Sequence, residues 1–294
     1  MSKKIIFEGV ATALYTPFFP SDKSVDYQAL GRLIRRQLSA KVNALAVLGT
    51  TGEAATVTNE ERRKIIEFCI SEVDGQIPVI VGCGSNCTKI ATEYSREAEA
   101  LGADGLLIVT PYYNKCNDDG LFEHYREISQ SSSLPIIVYN VPSRTGFNVK
   151  PSVYSKLADI DNVVAIKEAN CGNEQLNGVF ENAKGLSVYC GSDDKLSDVM
   201  RLGGKGVISV ASNIIPNKIV DYIRNFEDYS EIAFYNEMVK ILQSDINPIP
   251  LKYMVKVLYN EGYGLRLPLT EANSALKKSI DEIYQKTAGK FRWL

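Results

Sequence analysis

Short apolar runs rich in β-branched residues recur along the chain. Seven of these runs lie at residues 44–49, 78–82, 105–110, 135–140, 163–168, 186–191 and 206–210, and the stretch 9–16 adds an eighth. Runs that are short and apolar on both faces are typical of strands buried in a parallel sheet. The pattern therefore predicts eight buried strands.

Amphipathic segments with apolar side chains at helical spacing separate these strands, for example 59–73 and 89–101. Thr58 and Glu61 have the spacing of a capping box at the start of the first of them. The repeated order of strand, loop and helix favours a closed (β/α)8 TIM barrel. The alternative is a doubly wound open sheet, which normally carries a glycine-rich turn after its first strand, and residues 13–24 contain no such turn.

The strand pattern stops after residue 225, and the remaining segments have helical spacing. We therefore expect a barrel domain at 1–225 that carries the active site and a C-terminal helical domain at 226–294.

The net charge is only −2 over 294 residues, and no block of five like charges occurs. A chain with this charge distribution has no strong positive electrostatic potential that would attract nucleic acid or an anionic membrane. No run of 18 apolar residues predicts a membrane-spanning helix, and the N-terminal stretch lacks the apolar core of a signal peptide. We expect a cytoplasmic protein without nucleic-acid or membrane partners.

Metal and disulfide chemistry are not expected from the composition. The six cysteines include no C-x-x-C pair, and we interpret them as reduced thiols. His124 is the only histidine, and its helical surroundings favour a structural role. The chemistry must therefore use Lys, Tyr, Thr, Ser, Arg or carboxylate side chains.

The catalytic groups of such a barrel lie at the C-terminal ends of its strands. Those ends carry Gly49-Thr50-Thr51-Gly52-Glu53, Thr110-Pro111-Tyr112-Tyr113-Asn114, Tyr139-Asn140-Val141-Pro142-Ser143-Arg144, Lys167-Glu168, Gly191-Ser192-Asp193-Asp194 and Ile208-Ser209. Hydroxyls, phenols, one arginine and one lysine are thus expected on a single face.

Lys167 lies within an otherwise apolar run, although lysine is rarely buried without compensation. Strand alternation predicts Val163, Ala165 and Lys167 on one side and Val164, Ile166 and Glu168 on the other, so that Glu168 faces away from the lysine. Lys167 would then point into the barrel, where a neutral amine can attack a carbonyl carbon. The alternative is a lysine paired with Glu168 or extended to the barrel mouth.

Three hydroxyl groups are predicted near this lysine. Tyr139 ends the strand before it, and a phenol can deliver and withdraw the protons that imine formation requires. Thr50 and Tyr113 end two further strands and could extend a hydrogen-bonded chain to bulk water. Taken singly these signals are weak, because a tyrosine at a strand end usually packs and Gly-Thr-Thr-Gly also suits a turn.

Six motifs together carry a more specific signal. They are GTTGEAATVTNEER, TPYYNKCNDDGLFEHY, YNVPSRTG, AIKEA, GSDD and GGKGVISV, in this order over nearly the whole chain. The set resembles the dihydrodipicolinate synthase family, a branch of the pyruvate-dependent aldolases that also include N-acetylneuraminate lyase. The resemblance implies a TIM barrel with a C-terminal helical domain, a cytosolic homotetramer, and condensation of pyruvate with L-aspartate 4-semialdehyde in lysine and diaminopimelate synthesis.

The resemblance also implies roles for individual residues. Lys167 matches the lysine that forms the Schiff base with pyruvate, so no metal or other cofactor is implied. Tyr139, Thr50 and Tyr113 match the catalytic proton relay, which a tyrosine of the neighbouring subunit completes. Tyr112 matches an aromatic residue that packs across the tight dimer interface.

The implied substrate-binding residues come from three of the motifs. Thr51 matches the group that holds the pyruvate carboxylate, and Gly49 and Gly52 of the same loop are also expected to bind substrate. Arg144 matches the arginine that engages the carboxylate of aspartate semialdehyde, and Ile208 matches a position whose backbone carbonyl faces pyruvate.

Three other functions stay open at this point. An N-acetylneuraminate or 2-keto-3-deoxy sugar acid lyase would replace the arginine clamp with groups that bind hydroxyls, so Arg144 favours the synthase. A pyridoxal phosphate enzyme would need an anion nest, for which residues 202–206 are a weak candidate. A barrel that only binds a small acid is the third alternative.

One departure from the family pattern concerns regulation. Members inhibited by lysine use polar or imidazole side chains shortly after the GTTGE motif, and a glutamate further on. This chain carries Ala54, Ala55, Asn59 and Arg62 after the motif and Ile90 at the glutamate position, whereas the matching residues Asn86 and Tyr112 are present. Weak or absent inhibition by lysine is therefore expected.

Overall fold

Eight parallel strands close into a barrel in chain order in the computed structural model, which describes residues 3–287. The strands are β1 Gly9–Ala13, β2 Ala44–Val47, β3 Val79–Gly82, β4 Gly105–Val109, β5 Ile136–Asn140, β6 Val163–Glu168, β7 Ser187–Cys190 and β8 Gly206–Ser209. Each strand pairs with the next, and β8 returns to β1. The predicted (β/α)8 barrel is confirmed, although β1 ends at Ala13 rather than at residue 16.

Helices surround the barrel and continue past its last strand. They are α1 Tyr27–Ser39, α2 Asn59–Val73, α3 Thr88–Ala100, α4 Asp118–Ser131, α5 Pro142–Thr145, α6 Pro151–Leu157, α7 Asn173–Asn182, α8 Leu196–Arg201, α9 Pro216–Arg224, α10 Ile232–Leu242, α11 Ile249–Tyr259 and α12 Ser274–Thr287. The predicted capping box is present at α2, where the Thr58 hydroxyl accepts from the Glu61 amide and the Glu61 carboxylate accepts from the Thr58 amide. Both contacts satisfy amides that have no partner within the helix.

The strand register arranges the inward side chains of the barrel in layers of four, taken from alternate strands. From the N-terminal end the layers are Ala44, Gly105, Ala165 and Gly206; then Ala11, Ile80, Ile137 and Tyr189; then Ala46, Leu107, Lys167 and Ile208; then Ala13, Gly82, Tyr139 and Gly191. The Tyr189 ring of the second layer stacks on Phe7, which precedes β1, with ring centres 4.2 Å apart. The last layer consists of small residues apart from Tyr139, so the barrel is open at its C-terminal end.

The start of β6 departs from simple alternation. A register shift against β5 pairs Ile136 with Val163 and Ile137 with Ala165, so Val164 forms a bulge. Val163 consequently belongs to the outer core between sheet and helices, whereas Val164 and Ala165 both belong to the barrel interior. The prediction that Val163 shares a side with Lys167 is wrong, but Ala165 and Lys167 do lie on the same side.

The helices after residue 225 pack over the C-terminal end of the barrel. Lys252 of α11 is fully buried and forms an ion pair with Glu53, which directly follows the Gly-Thr-Thr-Gly loop. Its ammonium also donates to the Gly264 carbonyl at 2.6 Å and lies 4.3 Å from the centre of the Phe18 ring. Burial lowers the pKa of Lys252 to about 8, against the opposing effect of the Glu53 charge.

The expected boundary at residue 225 falls between α9 and α10, and the division into two domains stays a proposal. Residues 1–2 of the expected barrel domain and 288–294 of the expected helical domain lie outside the described residues. Among residues 3–287, no helix is long and apolar enough to cross a bilayer.

The buried Lys252–Glu53 pair predicts a specific pattern of stability changes. Lys252→Met leaves the Glu53 charge buried without its partner, and we expect it to lower the free energy of unfolding by about 3–5 kcal/mol. The double variant Lys252→Met with Glu53→Gln removes both charges and should be clearly more stable than the single variant. Denaturant unfolding of the purified protein measures both values.

The control is Lys64→Met, which removes an ion pair with Glu60 whose side chains are 57% and 77% exposed. Ion pairs between exposed side chains contribute little to stability, so this variant should unfold close to the wild type. Equal losses for Lys64→Met and Lys252→Met would contradict the assigned importance of the buried pair.

Candidate active site

A cavity of about 380 Å³ opens at the C-terminal ends of the strands. Its lining includes Gly49, Thr50, Thr51, Tyr139, Arg144 and Lys167 of the predicted site. These residues come from the ends of β2, β5 and β6 and from α5, so the fold brings together groups up to 118 positions apart in the chain, from Gly49 to Lys167. The small residues of the last barrel layer provide the space.

Lys167 extends from β6 into this cavity and is 6% exposed. It pairs across the strands with Tyr139, and its Nζ lies 4.2 Å from the centre of the Tyr139 ring. The negative face of an aromatic ring stabilises a nearby cation. The lysine is thus held beside the phenol that the sequence predicts as its proton carrier.

Glu168 points away from Lys167 to the outer side of the barrel, where it is fully buried. Its Oε1 accepts from Asn140 Nδ2 and the Asn170 amide, both at 2.8 Å, and its Oε2 accepts from Tyr154 Oη and Gln175 Nε2, both at 3.1 Å. Burial raises the pKa of Glu168 to about 6, against the opposing effect of these four donors. The prediction that Glu168 faces away from the lysine is confirmed.

The Gly-Thr-Thr-Gly loop forms a tight turn after β2. The Gly52 amide donates to the Gly49 carbonyl at 3.1 Å, and a Cβ at Gly52 would lie 3.2 Å from the Leu14 carbonyl oxygen. Gly52 itself is outside the cavity lining, so its place in the structure is to allow this close packing. Thr51 Oγ1 accepts from Asn247 Nδ2 at 3.0 Å.

Arg144 lies on the short helix α5, which starts at Pro142 directly after β5. Its side chain lines both the central cavity and a second cavity of about 580 Å³ beside it. Its Nη2 donates to the Asn247 carbonyl at 3.3 Å. A guanidinium at the cavity mouth can bind a carboxylate through two parallel hydrogen bonds.

The structure separates the two neighbouring tyrosines from Lys167. Tyr113 is 91% exposed, lines neither cavity, and has a positive φ of 68°, a conformation that costs energy for a residue with a side chain. Tyr112 is 38% exposed and lines the second cavity only. Within this one chain the predicted relay therefore contains Tyr139 and Thr50, but Tyr113 points outward.

Ile208 lies in the same barrel layer as Lys167, but Val210 lines the cavity at this strand. His124 is buried, and its Nδ1 shares a hydrogen bond with the Thr88 hydroxyl at 2.9 Å. Burial lowers the pKa of His124 to about 4, so the ring is neutral at pH 7, in agreement with a structural role. Within residues 3–287 no group of three or more His, Cys, Asp or Glu side chains could hold a metal ion.

Two residues of the cavity had no predicted role. Asn247 follows α10 and approaches the site from the C-terminal helices, with no periodic signal in the sequence that could place it there. Asp193 follows β7, and its buried carboxylate accepts from the Val210 and Ala211 amides at 2.9 and 3.1 Å. The sequence places the GSDD motif of Asp193 at a strand end, but it does not predict in which direction the Asp193 side chain points.

The weak candidate for a phosphate nest, residues 202–206, ends on the first residue of β8. Gly206 belongs to the lowest barrel layer, two layers below Lys167. The nest and the lysine therefore lie at different ends of the barrel, which does not favour a pyridoxal phosphate site.

Comparison with known proteins identifies the family. The model of the Dihydrodipicolinate synthetase family matches residues 6–287. The 4-hydroxy-tetrahydrodipicolinate synthase of Alkaliphilus oremlandii is 43% identical over 286 residues, which cover 95% of this chain and 98% of the relative.

Solved structures agree with this match. The dihydrodipicolinate synthase of Thermotoga maritima has a TM-score of 0.92 and 39% identity, with 97% of this chain and 99% of that chain covered. The chloride-inhibited enzyme of Acinetobacter baumannii, solved in complex with pyruvate, has a TM-score of 0.91 and 33% identity over 97% and 99% of the two chains. On this evidence the chain belongs to the dihydrodipicolinate synthetase family.

Proposed function

We propose that the protein is a 4-hydroxy-tetrahydrodipicolinate synthase, a lyase of the class I aldolase type that condenses pyruvate with L-aspartate 4-semialdehyde. The observation that carries this proposal is the buried Lys167 in a cavity that also presents a phenol, two threonine hydroxyls and an arginine. The names of the relatives support the same activity, and the pyruvate complex of the A. baumannii relative supports the first substrate.

The first step is imine formation at Lys167. The neutral amine adds to the ketone carbon of pyruvate, and the hydroxyl of the resulting carbinolamine leaves as water once it is protonated. Loss of a methyl proton from the iminium then gives an enamine, which is a carbon nucleophile. The covalent imine replaces any other cofactor in this mechanism.

Tyr139 is the proposed proton carrier for this step, because Lys167 Nζ lies against its ring. Thr50 lines the same cavity and supplies the next hydroxyl of the relay. Thr51 and the backbone of the turn between Gly49 and Gly52 are proposed to bind the pyruvate carboxylate.

Arg144 is proposed to bind the carboxylate of the second substrate at the cavity mouth. The enamine adds to the aldehyde of aspartate semialdehyde, whose amine then displaces Lys167 and closes the ring. Ile208 is proposed to present its backbone carbonyl to pyruvate from the layer that contains Lys167.

A homotetramer built from tight dimers is part of the proposal, since the relay is incomplete in one chain. Tyr113 is presented outward in a strained backbone conformation, and Tyr112 and Ile90 are exposed nearby. An aromatic side chain held in this way suits insertion into the site of a second copy. The expected cytoplasmic location also belongs to the proposal.

Borohydride trapping tests the nucleophile and the first substrate together. With pyruvate present, we expect reduction of the imine to leave a 1-carboxyethyl group on the peptide that contains Lys167, and Lys167→Ala should abolish it. Lys205→Ala is the control, because Lys205 lies at the opposite end of the barrel in an ion pair with Glu8. Unchanged trapping in Lys167→Ala would refute the assignment.

Arg144 tests the second substrate. Arg144→Gln should lower kcat/KM for aspartate semialdehyde by roughly 30-fold, because the substrate carboxylate loses a charged hydrogen-bond donor worth about 2 kcal/mol. Trapping with pyruvate alone should change far less, and Arg126→Gln at an exposed position of α4 is the control. Turnover of pyruvate with N-acetylmannosamine, and none with aspartate semialdehyde, would instead indicate a sugar acid lyase.

The second cavity predicts weak or absent inhibition by L-lysine. The side chains of Ala54, Ala55 and Ile90 in its lining have no polar group to bind the inhibitor. The Arg62 guanidinium at its wall would repel the ammonium groups of lysine. The one carboxylate in its lining, Glu53, is already paired with Lys252. Initial rates with added lysine measure the effect, and inhibition well below millimolar concentration would contradict the prediction.

A further inference from the structure

The carboxylate of Glu168 lies directly behind the proposed nucleophile, although it does not enter the cavity. Tyr139 and Lys167 are cross-strand partners that face inward, and the next pair of partners, Asn140 and Glu168, faces outward. Asn140 Nδ2 donates to Glu168 Oε1 at 2.8 Å. This contact therefore joins the two strands at the residues adjacent to the reacting pair.

The same carboxylate joins three further segments. Tyr154 of α6 and Gln175 of α7 donate to Oε2, and the Asn170 amide in the loop after β6 donates to Oε1. Four donors converge on two oxygens, so every acceptor is used. The C-terminal ends of β5 and β6 are thereby held to the helices behind them by one buried anion.

The donors cannot readily rearrange around a neutral side chain. Gln175 Oε1 already accepts from Asn148 Nδ2 at 3.1 Å, and Asn140 Oδ1 accepts from the Val149 amide at 3.2 Å. If Glu168 becomes an amide, its NH2 group faces two N–H donors on the Oε1 side, or one N–H donor beside the rotatable Tyr154 hydroxyl on the Oε2 side. A protonated carboxyl likewise places an O–H donor among these groups. The network would then separate at the point where it holds the strands together.

We propose that Glu168 is a positioning residue of the synthase: its hydrogen bonds to Asn140, Tyr154 and Gln175 hold the Tyr139 phenol in register with Lys167. The inference rests on the proposed function, and it assigns no contact between Glu168 and a substrate. Its physical basis is that a displacement of about 1 Å between reacting groups can cost roughly 100-fold in rate.

The proposal predicts a specific pH dependence for the rate at which pyruvate is trapped on the enzyme. The pKa of Glu168 is raised to about 6, so the accepting carboxylate is present above this pH and is lost as the pH falls through it. No Lys, Arg or His donates to the Glu168 carboxylate from β5, α6, α7 or the loop after β6. Tyr154 donates to this carboxylate, and burial raises its pKa well above the ordinary value; the Cys171 thiol donates to the Glu168 backbone carbonyl instead. Protonated glutamate closely resembles glutamine in shape.

The test compares the full-length wild type with Glu168→Gln in borohydride trapping by pyruvate between pH 5 and 8. At pH 8 the variant should be trapped roughly 10- to 100-fold more slowly. The two rates should converge as the pH falls through about 6, because the wild type then carries the same neutral group. A purely structural role predicts a difference in thermal stability but no such convergence.

A matched pair of variants covers the case in which Glu168→Gln does not fold. Tyr154→Phe removes one donor to Glu168, whereas Ser95→Ala removes an equally buried hydroxyl that donates to the Ala91 carbonyl within α3 at 2.7 Å. Tyr154→Phe should slow trapping, and Ser95→Ala should leave the trapping rate at the wild-type value.

Each outcome has a definite meaning. Wild-type trapping rates in Glu168→Gln at pH 8, a rate difference that persists at pH 5, or equal slowing by Tyr154→Phe and Ser95→Ala would overturn the inference and leave the proposed function intact. A wild type that pyruvate cannot trap would overturn the proposed function, and the inference with it.

Discussion

The pairing of Lys167 with Tyr139 at the ends of two buried strands is the constraint on which the site depends. Moving an amino group out of water is costly, and here the cost is offset by an aromatic face at 4.2 Å and by an opening to the cavity. The glycines and alanine of the last barrel layer leave room above the lysine. A larger side chain at any of these positions would occupy the space in which pyruvate is proposed to bind.

The helices after the barrel stabilise the loop that carries Thr50 and Thr51. Lys252 neutralises Glu53 directly behind that loop, and Asn247 donates to Thr51 from the same part of the chain. Tyr235 of α10 donates to the Asp193 carbonyl at 2.6 Å, on the opposite side of the cavity. The C-terminal segment is therefore part of the site as well as a cover over the barrel.

Much of the site could be predicted because barrel chemistry follows position along the strands. The order of strands and helices identified which ends face the cavity, and Lys167, Tyr139, Thr50, Thr51 and Arg144 do meet there. The predicted direction of Val163 was wrong because a bulge adds one residue to β6. The side chains of that apolar run give no sign of the bulge. Asn247 was missed because its approach depends on how α10 and α11 pack over the barrel.

From the sequence alone the architecture could be predicted, and Lys167 could be named as the candidate nucleophile. Buried parallel strands are apolar on both faces, so the eight strands could be recognised as short apolar runs. A lysine inside one of these runs is an exception that requires a cause. The distances between side chains and the choice of hydrogen-bond and ion-pair partners came from the tertiary structure. It directs Glu168 outward to four donors, pairs Lys252 with Glu53, and turns Tyr113 away from its own cavity, because those contacts join residues far apart in the chain whose meeting depends on the packing of whole elements.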